Sequence, residues 1–209
     1  MKKTIVMMLV AAAPVFAGEP VIVATPAPVE AQVASAPQAC PWSYELGVSY
    51  AWASTEIIDG MDGDNAQTVG VDLTACYAVT DTDMFNIRFG YGWGDAKNWG
   101  VSQHFHTWTL MPGYRYTCPL DDTWSIYAGV NVGVAAVAYK QHSEGLKEHC
   151  SGWGFAYSAE LGVRYALCPD MELFLGYIFS GNTAEPSKDG WSCAAQNNHG
   201  IRAGVGVKF

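Results

Sequence analysis

Charge is scarce in this chain. Charged residues make up 15% of it, against about 25% in an average soluble domain, so the usual solvated surface is missing. Basic residues are scarcer still, with 11 Lys and Arg against 20 Asp and Glu and a formal net charge of −9. That balance argues against nucleic acid as a partner. Beyond the N-terminus no apolar run approaches the roughly 20 residues that a membrane-spanning helix requires. What remains is a half-hydrophobic chain with 8 Trp, 11 Tyr and 22 Gly, a composition suited to sheet in apolar surroundings. Its 209 residues allow one domain, or one domain with a short extension.

Residues 1–17 read as a secretory signal peptide. Lys2 and Lys3 form its positive end, Ile5 to Val15 its apolar core and Val15, Phe16 and Ala17 its cleavage site. No Cys follows Ala17 directly, which argues against lipidation there. Residues 18–38 carry Pro20, Pro26, Pro28 and Pro37 among Ala and Val and read as a flexible, partly polyproline-like tether. Residues 39–209 are expected to fold.

From Trp42 onward the chain alternates with period two, the mark of strands with one apolar face. Eight such segments follow one another. Tyr44, Leu46, Val48, Tyr50 and Trp52 share a face in the first, and Ile201, Ala203, Val205, Val207 and Phe209 share one in the last. Phe174 and Ile178 blur the pattern of the seventh, and Pro112 in the fourth predicts a bulge or local distortion. Short turns at 80–83, 118–123 and 168–170 alternate with long loops at 54–67, 94–105, 140–152 and 181–198. Aromatic residues gather near both strand ends, as two membrane interfaces select. A soluble barrel or sandwich would place the apolar face inside, yet eight strands cannot pack this many Trp and Tyr into a narrow lumen. The expected fold is all-β, an eight-stranded antiparallel transmembrane barrel with a disordered N-terminal extension.

The segments 126–134 (Ile-Tyr-Ala-Gly-Val-Asn-Val-Gly-Val), 160–165 (Glu-Leu-Gly-Val-Arg-Tyr), 175–179 (Leu-Gly-Tyr-Ile-Phe) and 204–209 (Gly-Val-Gly-Val-Lys-Phe) carry a resemblance. The chain from about Trp42 resembles the eight-stranded bacterial outer-membrane barrel superfamily of OmpA-type, OmpX-type and opacity-type proteins. The resemblance implies the bacterial outer membrane, with a periplasmic N-terminus and extracellular long loops. It also implies that Phe209 serves as an assembly signal read by the barrel assembly machinery. Members act as adhesins, stabilising anchors, small pores or lipid-modifying enzymes. The expected role is non-enzymatic, in surface interaction or envelope integrity, by a monomer with outer-membrane lipid around it and an extracellular ligand of unknown identity. A narrow porin-like conduit for small or apolar solutes is the alternative, and a lipid A-modifying enzyme the third.

No cofactor or metal is expected. His104 and His106 point the same way but lack a third ligand. His142, Ser143 and Glu144 hold hydrolase residue types, but neighbours in one loop rarely converge on one atom. Asp59, Asp62, Asp64 and Asn65 lack the spacing and terminal Glu of a calcium loop. The six cysteines divide by barrel end, which predicts disulfides Cys150–Cys193, Cys40–Cys76 and Cys118–Cys168. A zinc site from Cys40, Cys76, Cys118 and Cys168 is the competing reading. The inward face is expected to carry Glu45, Asp72, Glu160 and Glu172 with Arg88, Arg115, Arg164 and Arg202. These should form a network that plugs the lumen, with Asp72 against Arg88 and Arg164 against Glu172.

Overall fold

A sheet surrounded by lipid has no water to satisfy an open edge, so strands of this kind must close on themselves. The computed structural model describes residues 41–209 apart from 59–60, 99–100, 144–145, 185–186, 189–190 and 193–195. Its side chains are described outside 53–66, 96–103, 141–148 and 185–196. The signal peptide, the tether, Cys40, Cys193 and the side chains of the Asp59 and His142 clusters therefore lie outside the described residues.

Seven long strands run in order: β1 (Trp42–Ile58), β2 (Met61–Ala78), β3 (Asp83–Asn98), β4 (Val101–Pro119), β5 (Trp124–Ser143), β6 (Leu146–Cys168) and β7 (Met171–Asn182). Two short strands, β8 (Ser187–Lys188) and β9 (Trp191–Ser192), precede β10 (Gln196–Lys208). All pair antiparallel, and β1 to β7 with β10 close into an eight-stranded barrel sealed by the β1–β10 ladder. The short turns fall where expected. In one of them Asp121 Oδ1 accepts the backbone N–H groups of Thr123 and Trp124, both at 2.7 Å. Those bonds, Trp124 first, hold its carboxyl below the ordinary range.

Three of the four expected long loops are strand instead. The β1–β2 ladder runs to Ile58↔Met61, β3–β4 to Asn98↔Val101 and β5–β6 to Ser143↔Leu146. Their polar, irregular sequences hide the alternation because no lipid contact selects for it there.

The outward face is the apolar one. Leu46, Phe89, Val130, Leu161 and Leu175 are all exposed, as lipid-facing residues must be in a protein counted without its lipid. Aromatic pairs mark both rims of this face. Trp42 with Tyr77 and Trp124 with Tyr165 stand at the short-turn end, and Tyr91 with Trp108 and Trp52 with His199 at the loop end. Phe174 and Ile178, the misfits of the seventh strand, are buried inside. Pro112 produces no register shift. The β4–β5 ladder skips it and Met111, then resumes in the same register from Leu110↔Val134 to Gly113↔Asn131. The missing N–H costs rungs without adding a residue.

Candidate functional site

All eight charged residues assigned to the lumen are buried there. Glu45 is the hub. Arg115 grips it with both terminal nitrogens, Nη2 to Oε2 at 3.0 Å, and Arg164 Nη2 reaches the same carboxylate. Arg202 Nη2 lies 3.5 Å from its Oε2. Arg164 also bonds Glu172, to which Lys208 adds a half-exposed ammonium at 3.4 Å. A second hub is Glu160, which accepts from Arg88 Nη2 at 2.5 Å, Arg202 Nη1 at 3.0 Å and the Tyr127 hydroxyl at 2.5 Å. The guanidinium groups also lie over aromatic faces: Arg115 and Arg164 over Tyr127 at 5.2 and 5.1 Å, and Arg202 over Phe174 at 4.3 Å.

The expected Arg164–Glu172 and Asp72–Arg88 ion pairs are both present, but Asp72 takes its hydrogen bonds from a further residue, Arg202. Arg202 donates to it from Nε at 3.0 Å and Nη2 at 2.5 Å, while Arg88 Nε stays 3.9 Å away. Asp72 on β2 and Arg202 on β10 are separated by β1, and Gly47 of β1 is the residue between them. A Cβ at Gly47 would meet Asp72 Oδ2 at 2.6 Å and Arg202 Nε at 2.9 Å. The glycine leaves the gap in which the pair forms. A second gap under Tyr127 has the same origin, because a Cβ at Gly176 would meet its hydroxyl at 2.5 Å. Sequence reasoning missed Tyr127, Phe174 and Gly47. The available signal was inward parity combined with an aromatic or a glycine beside charged neighbours.

Above this layer, toward the loop end, the lumen turns apolar on one side, where Phe105, Met111, Val137 and Tyr139 pack together. His104 and His106 both face outward on β4. His104 contacts Asp95, and His106 Nδ1 is 2.7 Å from the Tyr91 hydroxyl. Among the described residues no group of three metal-ligand types converges.

One of the three expected cysteine pairings, Cys118–Cys168, does not form. Cys76, Cys118, Cys150 and Cys168 are free thiols. Cys118 and Cys168 cannot meet, because β5 separates their strands: Cys118 lies opposite Ile126, and Ile126 opposite Val163. Two ladder spacings, about 9.6 Å, already exceed the roughly 7 Å limit for a disulfide. The other two bridges each involve a residue outside the described set. Cys76 is buried in the lumen with Arg115 Nη1 3.8 Å from its sulfur, whereas Cys118 follows Tyr116 on the outward face, so these two cannot share a zinc ion. In refolded, reduced protein, maleimide should label exposed Cys168 promptly and Cys76 at least about 100-fold more slowly. Equal rates by mass spectrometry would contradict the placement of Cys76.

Residues 21–209 match the family profile of the outer membrane protein beta-barrel domain. No curated protein sequence matches the chain. Among solved structures, neisserial surface protein A is similar at a TM-score of 0.56 and 18% identity, covering 83% of this chain and 100% of that one. The attachment invasion locus protein Ail of Yersinia pestis, in complex with the heparin analogue sucrose octasulfate, is similar at a TM-score of 0.50 and 17% identity. That match covers 80% of this chain and 99% of Ail.

Proposed function

This chain belongs to the outer membrane protein beta-barrel family of bacteria, and from that premise we propose that it is a non-enzymatic surface-interaction protein. The barrel serves as a stiff, impermeable support, and the strands that continue past its rim make the contact. The observation that carries this reading is the asymmetry of those strands. The β2–β3 ladder stops at Gln67↔Asp95 and the β6–β7 ladder at Ala156↔Asn182. Between these limits the β3–β4, β4–β5 and β5–β6 ladders go on to Asn98, Ser102 and Ser143. A four-stranded sheet therefore stands beyond the loop-end rim. On β6 it adds about seven residues beyond Trp153, or roughly 23 Å of strand.

In this reading the short turns face the periplasm and the protruding sheet faces outward. A sheet with open edges in water offers backbone groups for pairing with an extended partner. The acidic balance, −9, disfavours polyanionic partners, so the heparin analogue bound by Ail is not carried over.

The test compares cells making the intact chain with cells making a variant whose β5–β6 hairpin is cut back to a tight turn between Ala138 and Ser151. Both should give a barrel whose gel mobility changes on boiling. Only the intact chain should raise adhesion to surfaces coated with an extended, unfolded polypeptide. Equal adhesion by both strains would overturn the reading. So would a steady conductance of the refolded protein in planar bilayers, which favours the conduit.

A further inference from the structure

Every arginine of the chain is buried in the lumen, so its exposed cations are lysines and histidines. They are not spread evenly. The β3–β4, β4–β5 and β5–β6 ladders set Asp95, His104, Lys140 and His149 directly opposite one another. All of these are exposed, and they lie on the outward face, since Phe105 and Tyr139 beside them are buried inside. The next row in register is Lys97, Ser102, His142 and Lys147. Asp95, the carboxylate of the described row, stands at its end and contacts His104. Lys140 stands between two imidazoles, about 4.8 Å away across each ladder, with no ion pair or hydrogen bond among the described residues. Cationic groups directly opposite one another favour an anion laid across them.

Toward the barrel the same face turns apolar. Four residues back along these strands lie Trp108, Ala136 and Trp153, again opposite one another. At about 3.4 Å per residue and a tilt near 45°, that is about 10 Å lower. Ala136 and Ala138 leave a trough along β5 between the two indoles. Its β4 wall is stiff, because the Tyr91, His106 and Trp108 rings pack with centroids 5.4 to 6.2 Å apart. A lysine stem lies along such a surface while its head stays in water. Upward along this face come apolar seat, aromatic wall and ammonium, the order of tail, interface and headgroup in a lipid. The chain's net charge of −9 acts weakly here, because charges beyond about 8 Å are screened.

We propose that this face binds the phosphate headgroup of an anionic membrane lipid. Lys140 and His149 take the phosphate, and the trough over Ala136 and Ala138 takes a tail. The site uses the outward face of the protruding sheet and not its edges, so it stands apart from the adhesion reading.

The refolded full chain in detergent micelles is titrated with dihexanoyl phosphatidic acid. Dihexanoyl phosphatidylcholine keeps the tails but offsets the charge, and glycerophosphate keeps the phosphate without tails. The ring C–H resonances of His104 and His149 are the readout. Phosphatidic acid should shift them saturably, and both controls should bind about ten-fold more weakly or not at all. Lys140→Ala should weaken phosphatidic acid at least about three-fold, and Lys140→Arg should restore it. Ala136→Trp should fill the trough and leave phosphatidic acid no tighter than glycerophosphate. Should that variant fail to refold, the exposed Lys140 pair and the two controls decide. A linear response, phosphatidylcholine binding as tightly, or shifts indifferent to these substitutions would overturn the proposal. So would glycerophosphate binding as tightly as the lipid, the result expected of a site for soluble polyanions.

Discussion

Glu45→Ala is expected to cost the barrel about 3–5 kcal/mol, or to prevent its refolding, because it leaves buried guanidinium groups without their carboxylate. Glu45 is 1% exposed and meets Arg115, Arg164 and Arg202. Glu172→Ala should cost less, since Arg164 would keep Glu45 and the Lys208 ammonium is half in solvent. Urea titration of the vesicle-embedded proteins, followed by the folded fraction on unboiled gels, measures both. A Glu45→Ala barrel within about 1 kcal/mol of the unmodified one would mean that water, and not the pairing, stabilises these charges.

Val130→Arg tests the opposite face. Val130 is 56% exposed and stands six positions above Trp124 on β5. At about 3.4 Å per residue and a tilt near 45°, that is about 14 Å from the aromatic rim, close to the middle of the apolar band. The expected loss is about 2–4 kcal/mol in vesicles, against about 0–1 kcal/mol for Trp153→Arg at the opposite rim. Equal costs at the two positions would contradict the placement of the apolar band.

The faces of the strands were legible because period two is a one-dimensional signal. Val48 and Ser49 fall on opposite sides whatever the rest of the chain does, and so did every lumen charge. The partners of those charges were harder to read. Asp72 and Arg88 are neighbours across one ladder, which made them the natural pair on paper. That Asp72 is hydrogen-bonded by Arg202, with Arg88 at the longer 3.9 Å, depends on which side chain is missing from the strand between Asp72 and Arg202. Phe174 looked like a defect when weighed only by hydropathy. It is the surface on which Arg202 lies, a use of an aromatic ring that hydropathy does not encode. The protruding sheet was missed for a further reason. Outside lipid, strand pairing imposes no apolar face, so the pattern that identifies a strand vanishes while the strand continues.

The Gly47 gap has a consequence for the order of assembly. Arg115 and Glu45 are 70 residues apart in the chain, Arg164 and Glu45 are 119 apart, and Arg202 and Asp72 are 130 apart. Contacts of such separation form late and slowly. The Asp72–Arg202 contact spans the β1–β10 seam itself, with Gly47 as its saddle, so it cannot exist in a barrel that has inserted seven strands but not the eighth. Until the last strand zips, Asp72 has only Arg88, 3.9 Å away on β3. Closure of the seam thus delivers Arg202 to Asp72, Glu45 and Glu160 in one step, so a partly closed barrel lacks the cation that joins both carboxylate hubs.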